Sequence, residues 1–172
     1  MFIYDGTNSG PFISNFSDTL GNTWLSGTDT TNHQADFSST LATGGSADTF
    51  TVNWTASVND AVVSLEISGQ NASPLDGTVQ VGSTSGTAWN CPSITTTNAN
   101  DMIVCCASDS NHNNAFTAGT GFTIPFGNFA GGNTPSGACE VEIVTVAGTY
   151  TPTFTVGTSA SGKAMTVAIK SS

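Results

Sequence analysis

The chain has 172 residues, of which only Lys163 and Lys170 are basic, against 12 acidic residues, giving a formal net charge of −10. Nucleic-acid binders neutralise phosphates with Lys and Arg, so this balance excludes a phosphate groove, and the lack of arginine excludes guanidinium clamps for nucleotides or acidic substrates. Charged residues make up 8% of the chain, against roughly 25% in ordinary globular domains, while 37% hydrophobic residues and ten Phe suffice for a core.

Length points to a single domain over residues 1–172. Its surface must be polar but uncharged, rich in Ser, Thr, Asn and Gly, as is frequent on proteins working outside the cytoplasm or in large assemblies. No run approaches the roughly 20 apolar residues that span a bilayer, so membrane insertion is not expected.

In chain order, Met1-Phe-Ile-Tyr-Asp-Gly6 lacks the basic and apolar regions of a signal peptide. Leu20-Gly-Asn-Thr-Trp24 predicts a tight hairpin turn with Trp24 opening the return strand. From Asp48 to Ser57, Phe50, Val52 and Trp54 alternate with Thr51, Asn53 and Thr55, the pattern of a half-buried strand. After a short turn at Val58-Asn59, Ala61, Val63, Leu65 and Ile67 set the inward face of a second strand, and the two read as a hairpin. Ser73-Pro-Leu-Asp-Gly77 predicts a turn, with Pro74 fixing φ and Asp76-Gly77 able to turn left-handed. Asn98-Ala-Asn-Asp101 offers side-chain caps before Asp101–Ala107, whose nearly continuous apolar run suits a central strand covered on both faces. Cys139, Val141 and Ile143 alternate with Glu140 and Glu142, which fall on the wet face. Tyr150, Pro152 and Phe154 begin another extended piece, and Ala164–Ile169 forms a final strand. Glycine-rich turns separate these runs at about 8 to 12 residues, and no helix longer than a turn is credible. The expected fold is all-β, an antiparallel sandwich.

Cys105 and Cys106 are adjacent and point to opposite faces of a strand. They cannot both pair inward, so two core-facing disulfides are disfavoured and free buried thiols, with Cys91 and Cys139, are expected.

The sequence offers little catalytic chemistry. His33 and His112 sit in polar, loop-like stretches without a nucleophile elbow. Glu140 and Glu142 are spaced compatibly with a glycosidase pair, but two carboxylates on a wet strand face, like Glu66, are normally solvated surface. No cysteine spacing fits zinc. Asp109, Asn111 and Asn113 place oxygen side chains at the alternating spacing of the first half of a calcium loop, but the glycine and the closing acid are missing. A Ca²⁺ ion at this loop is the one cofactor the sequence suggests. For sugar binding, Trp89 is the tryptophan expected to be exposed as a stacking platform, with Asn90 beside it. Sequons occur at Asn15, Asn53 and Asn71, as a chain rich in Asn, Ser and Thr produces by chance.

Five segments in series carry a resemblance: Ser17-Asp-Thr-Leu-Gly-Asn-Thr-Trp24, Ser73-Pro-Leu-Asp76, Thr95-Thr-Thr-Asn-Ala-Asn-Asp-Met102, Phe116-Thr-Ala-Gly-Thr-Gly-Phe122 and Val146-Ala-Gly-Thr-Tyr-Thr-Pro-Thr-Phe154. Their order resembles a β-sandwich module of bacterial surface proteins and of phage and environmental virus genomes, covering about residues 17 to 170. The resemblance implies a jelly-roll-like sandwich with a display, adhesion or structural role and no established catalysis. That pattern begins with one more strand before the segment matching Phe2–Asp5, so an edge completed by a neighbouring subunit is expected near Met1. Lys163 and Lys170 would guard the opposite edge at the C-terminal strand. The expected function is a non-enzymatic structural or display protein, a self-associating subunit or decoration protein of a phage virion. The alternative is a glycan-binding or adhesion module of a secreted or cell-surface bacterial protein.

Overall fold

A computed structural model describes residues 2–3, 13–21, 24–28, 34–38, 47–54, 62–63, 65–109, 114–131 and 134–172. Among these residues every regular element is a strand and every pairing antiparallel, an all-β sandwich. Four two-stranded ribbons accompany the main sheet. They pair β1 (Phe2–Ile3) with β6 (Val62–Val63), β2 (Ile13–Asp18) with β5 (Phe50–Trp54), β3 (Trp24–Thr28) with β4 (Gln34–Ser38), and β9 (Ile94–Thr95) with β14 (Thr149–Tyr150). The main sheet contains β7 (Gln70–Leu75), β8 (Gln80–Asn90), β10 (Asp101–Asp109), β11 (Phe116–Ala118), β12 (Phe129–Gly131), β13 (Thr134–Val144) and β15 (Thr153–Ser171).

The expected central strand is β10. It pairs along its length with β13 on one side and β15 on the other, and both its faces are buried. On one face, Val104 and Cys106 pack with Cys139, Met165, Val167 and Ile169, under Leu65, Ile67 and Leu75. On the other, Ile103, Cys105 and Ala107 lie beneath a second layer.

That second layer is made by β15 turning back on itself. Opposite β8, residues 156–159 of β15 face only Thr87 before the register resumes at Ala160↔Gly86. Such an insertion bends and twists the strand. The result is visible in the core, where Phe154 and Ala164 of one strand occupy the same cluster. Ten residues of straight strand would hold them roughly 33 Å apart. Trp89, which pairs with Phe154, comes down on Gly162, where an added Cβ would lie 2.5 Å from the indole and 2.1 Å from the Ser108 carbonyl oxygen. β11, the first part of β15 and the β9–β14 ribbon complete the covering layer, contributing Phe116, Val156, Ile94 and Tyr150.

Several expectations are corrected. Among the described residues, the strands around Asp48–Ser57 and Asp60–Gly69 form no hairpin with each other, since β5 pairs with β2 and β6 with β1. Gly21 is left-handed (φ 70°), yet the strands on either side of it do not pair with each other: β2 joins β5 and β3 joins β4. The C-terminal strand is the spine of the sheet, paired on both sides, with Lys163 standing between Ser108 and Ser83 and only 5% exposed, so it guards no edge.

The cysteines are also corrected. Cys91 is bonded to Cys105 and Cys106 to Cys139. The neighbours do point to opposite faces, but each face has its own partner: Cys139 stands directly across from Cys106 on β13, and Cys91 descends from the covering layer. A sandwich covered on both sides makes both directions inward.

The fold-back at Trp89 yields a prediction. Gly162→Ala should lower stability by about 3 kcal/mol or more, because backbone atoms, and not only a flexible side chain, occupy the Cβ position. Thermal unfolding checks this; an unchanged midpoint would remove Gly162 from the account of the bend.

Candidate functional site

Between the two layers lies a cluster with both apolar and polar parts. The Phe116 ring meets those of Trp89 and Phe154 edge to face, with centroids 5.5 Å apart in both pairs. The indole N–H donates to the Gly86 carbonyl at 3.0 Å, which satisfies its one polar atom. Trp89 is 1% exposed, so the expected stacking platform is a core residue. The sequence cue misled because the fold-back covers this strand end with the strand's own ribbon.

Beside the aromatic cluster stands Glu140, expected on a wet face but 0% exposed. It sits opposite Cys105 in the β10–β13 ladder and so faces the Cys91–Cys105 bond. One of its carboxylate oxygens, Oε2, accepts the Gly119 N–H of the covering layer at 2.8 Å. The other, Oε1, has no partner among the described residues. Burial pushes this carboxyl up to about 7, with the Glu142 charge adding to the effect and the amides of Gly119 and Thr153 opposing it. Glu142 is half-buried and Glu66 exposed, while Ile143, expected in the core, is 60% exposed. Cys139 and Val141 face the core as the alternation predicts, but Glu140 is buried on the opposite face as well, and Ile143 lies beyond the cover.

A second carboxyl pair joins two of the sequence motifs. Asp76 reaches β15 from one side, its N–H donating to the Ala168 carbonyl at 3.0 Å, and Asp101 enters beside β15 from the other at the head of β10. Asp76 accepts the Thr97 hydroxyl at 2.7 Å and the Thr97 backbone N–H, fixing the loop before β10, where Asn100 is left-handed. Asp101 is wholly buried, and neither of its oxygens meets a donor at hydrogen-bond geometry among the described residues. Burial, then the facing Asp76 carboxylate, raise the Asp101 carboxyl to about 6, weakly opposed by the Ser171 amide and the Lys170 charge. Burial also pushes Asp76 up, but the hydrogen bonds from Thr97, Asp101 and Asn98 outweigh it and hold Asp76 below its ordinary value. Asp101 is therefore the member that takes up a proton at mildly acidic pH, while Asp76 stays ionised.

Asp109, the first residue of the expected calcium loop, turns inward. Its carboxylate accepts the Ser136 hydroxyl at 2.7 Å and the Asn114 amide, and Asn114 also bonds both backbone groups of Thr158. These bonds tie β10 to β13 and to the bend of β15, so Asp109 serves as a buried brace. Asn111, Asn113, His33 and His112 lie outside the described residues. Asn90 is exposed and lines an open groove along the β8–β15 ribbon with Ser83, Ser85, Ser161 and Lys163. The sequon residues Asn15 and Asn53 are hydrogen-bonded partners across β2 and β5.

The carboxyl pair sets a pH dependence. Asp101 holds its proton more tightly folded than unfolded, so its contribution is complete below about pH 4 and is lost as pH rises through about 6. Asp76 acts in the opposite sense, its contribution being lost only in stronger acid. Denaturant midpoints should therefore fall between about pH 4 and 7, and Asp101→Asn should flatten this decline and stabilise the chain at pH 7 by about 1–3 kcal/mol. Wild-type stability that rises over that interval would contradict the pairing.

The chain matches no family model, no curated protein and no solved structure.

Proposed function

We propose that this chain is a non-enzymatic structural protein, a self-associating β-sandwich subunit or decoration protein of a particle or filament, best placed in a phage virion. The carrying observation is β8. It is an eleven-residue strand, Gln80–Asn90, with a ladder to β15 on one side and no ladder on its other side among the described residues, although β3 comes near. Between Gln80 and Asn90 there is no charged residue and no proline, the devices by which long edges normally resist pairing. An uncharged edge of this length suits strand addition by a second copy. Such contacts would be little affected by salt. The two disulfides suit an oxidising, extracellular setting for the finished particle, and no helix among the described residues is long and apolar enough to cross a membrane. The jelly-roll topology implied by the resemblance belongs to this same proposal.

Two lysines on this strand test the reading. Ser83→Lys with Ser85→Lys, both exposed, should convert an oligomer to a monomer in size-exclusion chromatography with light scattering. A wild-type chain that stays monomeric at high concentration would overturn self-association.

The groove beside Asn90 favours a second reading, glycan binding or adhesion. Its lining includes the hydroxyls of Ser83, Thr84, Ser85 and Ser161, the Asn90 amide and Lys163, beside Ala88 and Gly162, groups suited to hydrogen-bonding sugar hydroxyls without a stacking platform. On this reading, Asn90→Ala should lower retention on a glycan array at least fivefold; binding by neither protein would dismiss it.

A further inference from the structure

The oxidised Cys91–Cys105 pair faces a buried acid whose spare oxygen has nothing to do. The two sulfurs and a Glu140 carboxylate oxygen all lie within 4.8 Å of one another, and all three residues are buried. Glu140 is held in place from behind by the Gly119 amide on Oε2, while Oε1 meets no donor among the described residues. The disulfide-bonded sulfurs cannot bind a metal in this state, since thiolates are the ligands.

We infer that reduction of the Cys91–Cys105 bond turns this cluster into a zinc site, with two thiolates and the Glu140 carboxylate as ligands and a fourth position for water. Tetrahedral zinc with two sulfurs at about 2.3 Å and an oxygen at about 2.1 Å sets its donors about 3.6–3.8 Å apart. The sulfurs need only open from bonding distance to that separation, and the oxygen, within 4.8 Å of both, needs at most a short approach. The Gly119 amide supplies the outer hydrogen bond that orients a ligating carboxylate. The other disulfide serves as an internal contrast: Cys106 and Cys139 lie among Val104, Met165 and Val167, which offer no third ligand.

The chemistry balances with a dithiol reductant. Two electrons from the dithiol break the S–S bond, the dithiol closes to its own disulfide, and its two protons appear on Cys91 and Cys105. Zn²⁺ then displaces those two protons, and any proton on Glu140, on binding. A chain made in a reducing compartment would carry the ion; outside, a small-molecule disulfide would take up the two electrons by exchange, leave as two thiolates, and release Zn²⁺ as the Cys91–Cys105 bond formed. This inference does not depend on the self-association reading.

The test uses the full chain, unfolded, reduced with a phosphine and refolded with Co²⁺ as the spectroscopic substitute for Zn²⁺. The expected result is one Co²⁺ per chain, with thiolate-to-cobalt absorption in the near ultraviolet, displaced by one equivalent of Zn²⁺ and absent from the oxidised chain. Glu140→Gln should weaken Co²⁺ binding by about tenfold or more, and C91S/C105S should abolish the thiolate band. No band, an E140Q affinity equal to wild type, a band that persists in C91S/C105S, or a reduced chain that fails to refold with Co²⁺ would each overturn the inference.

Discussion

The return of the β8–β15 ribbon over its own second half is the constraint on which the rest of the structure depends. A single sheet has two faces to cover, and here the sheet covers one of them with its own bent end. Everything that is unusual about the interior follows from this. Gly162 lacks a side chain because Trp89 occupies its place, Cys91 finds Cys105 because its strand end lies over β10, and Glu140 finds an amide of the covering layer above it.

The bend also explains why the acidic balance of the chain is less a surface property than composition suggests. Asp76, Asp101, Asp109 and Glu140 are all buried. Asp109 is a satisfied brace, whereas Asp101 and one oxygen of Glu140 meet no donor at hydrogen-bond geometry among the described residues. Buried carboxyls of the second kind lower stability at neutral pH unless a proton or a cation accompanies them. They concentrate at two places, one where Asp76, just past the end of β7, and Asp101, at the head of β10, meet across β15, and one beside a disulfide.

Much of the fold was legible because local chemistry decided it. The apolar run of β10 demanded cover on both faces, and Gly77 and Asn100 adopt the left-handed turns their sequence contexts favour. Pairing was less legible, because alternation gives a strand its faces but not its neighbour: β5 has the pattern expected of it in sequence, yet it joins β2 and not the strand that follows. The cysteines, Trp89 and Glu140 were misread for one shared reason. Each inference assumed that a strand has one dry face, whereas β8, β10 and β13 are enclosed twice where these residues stand. A signal was present in Cys105-Cys106, since two adjacent cysteines on a strand predict two covered faces as readily as one unpaired thiol.

β15 pairs with β7, β8, β10 and β11, and it follows all four in the chain. During synthesis these strands emerge before the element that joins them, so the sheet cannot assemble progressively behind the ribosome. Its contacts are long in sequence, and closing them is slow compared with local structure. Until β15 arrives, β8 lacks its ladder and β10 has only β13 beside it, in the crowded setting where other copies are also being made. The same uncharged β8 that suits a neighbour in an assembled particle is then open to premature partners. Vectorial synthesis thus sets a timing problem that a chain with its spine strand placed early would not face.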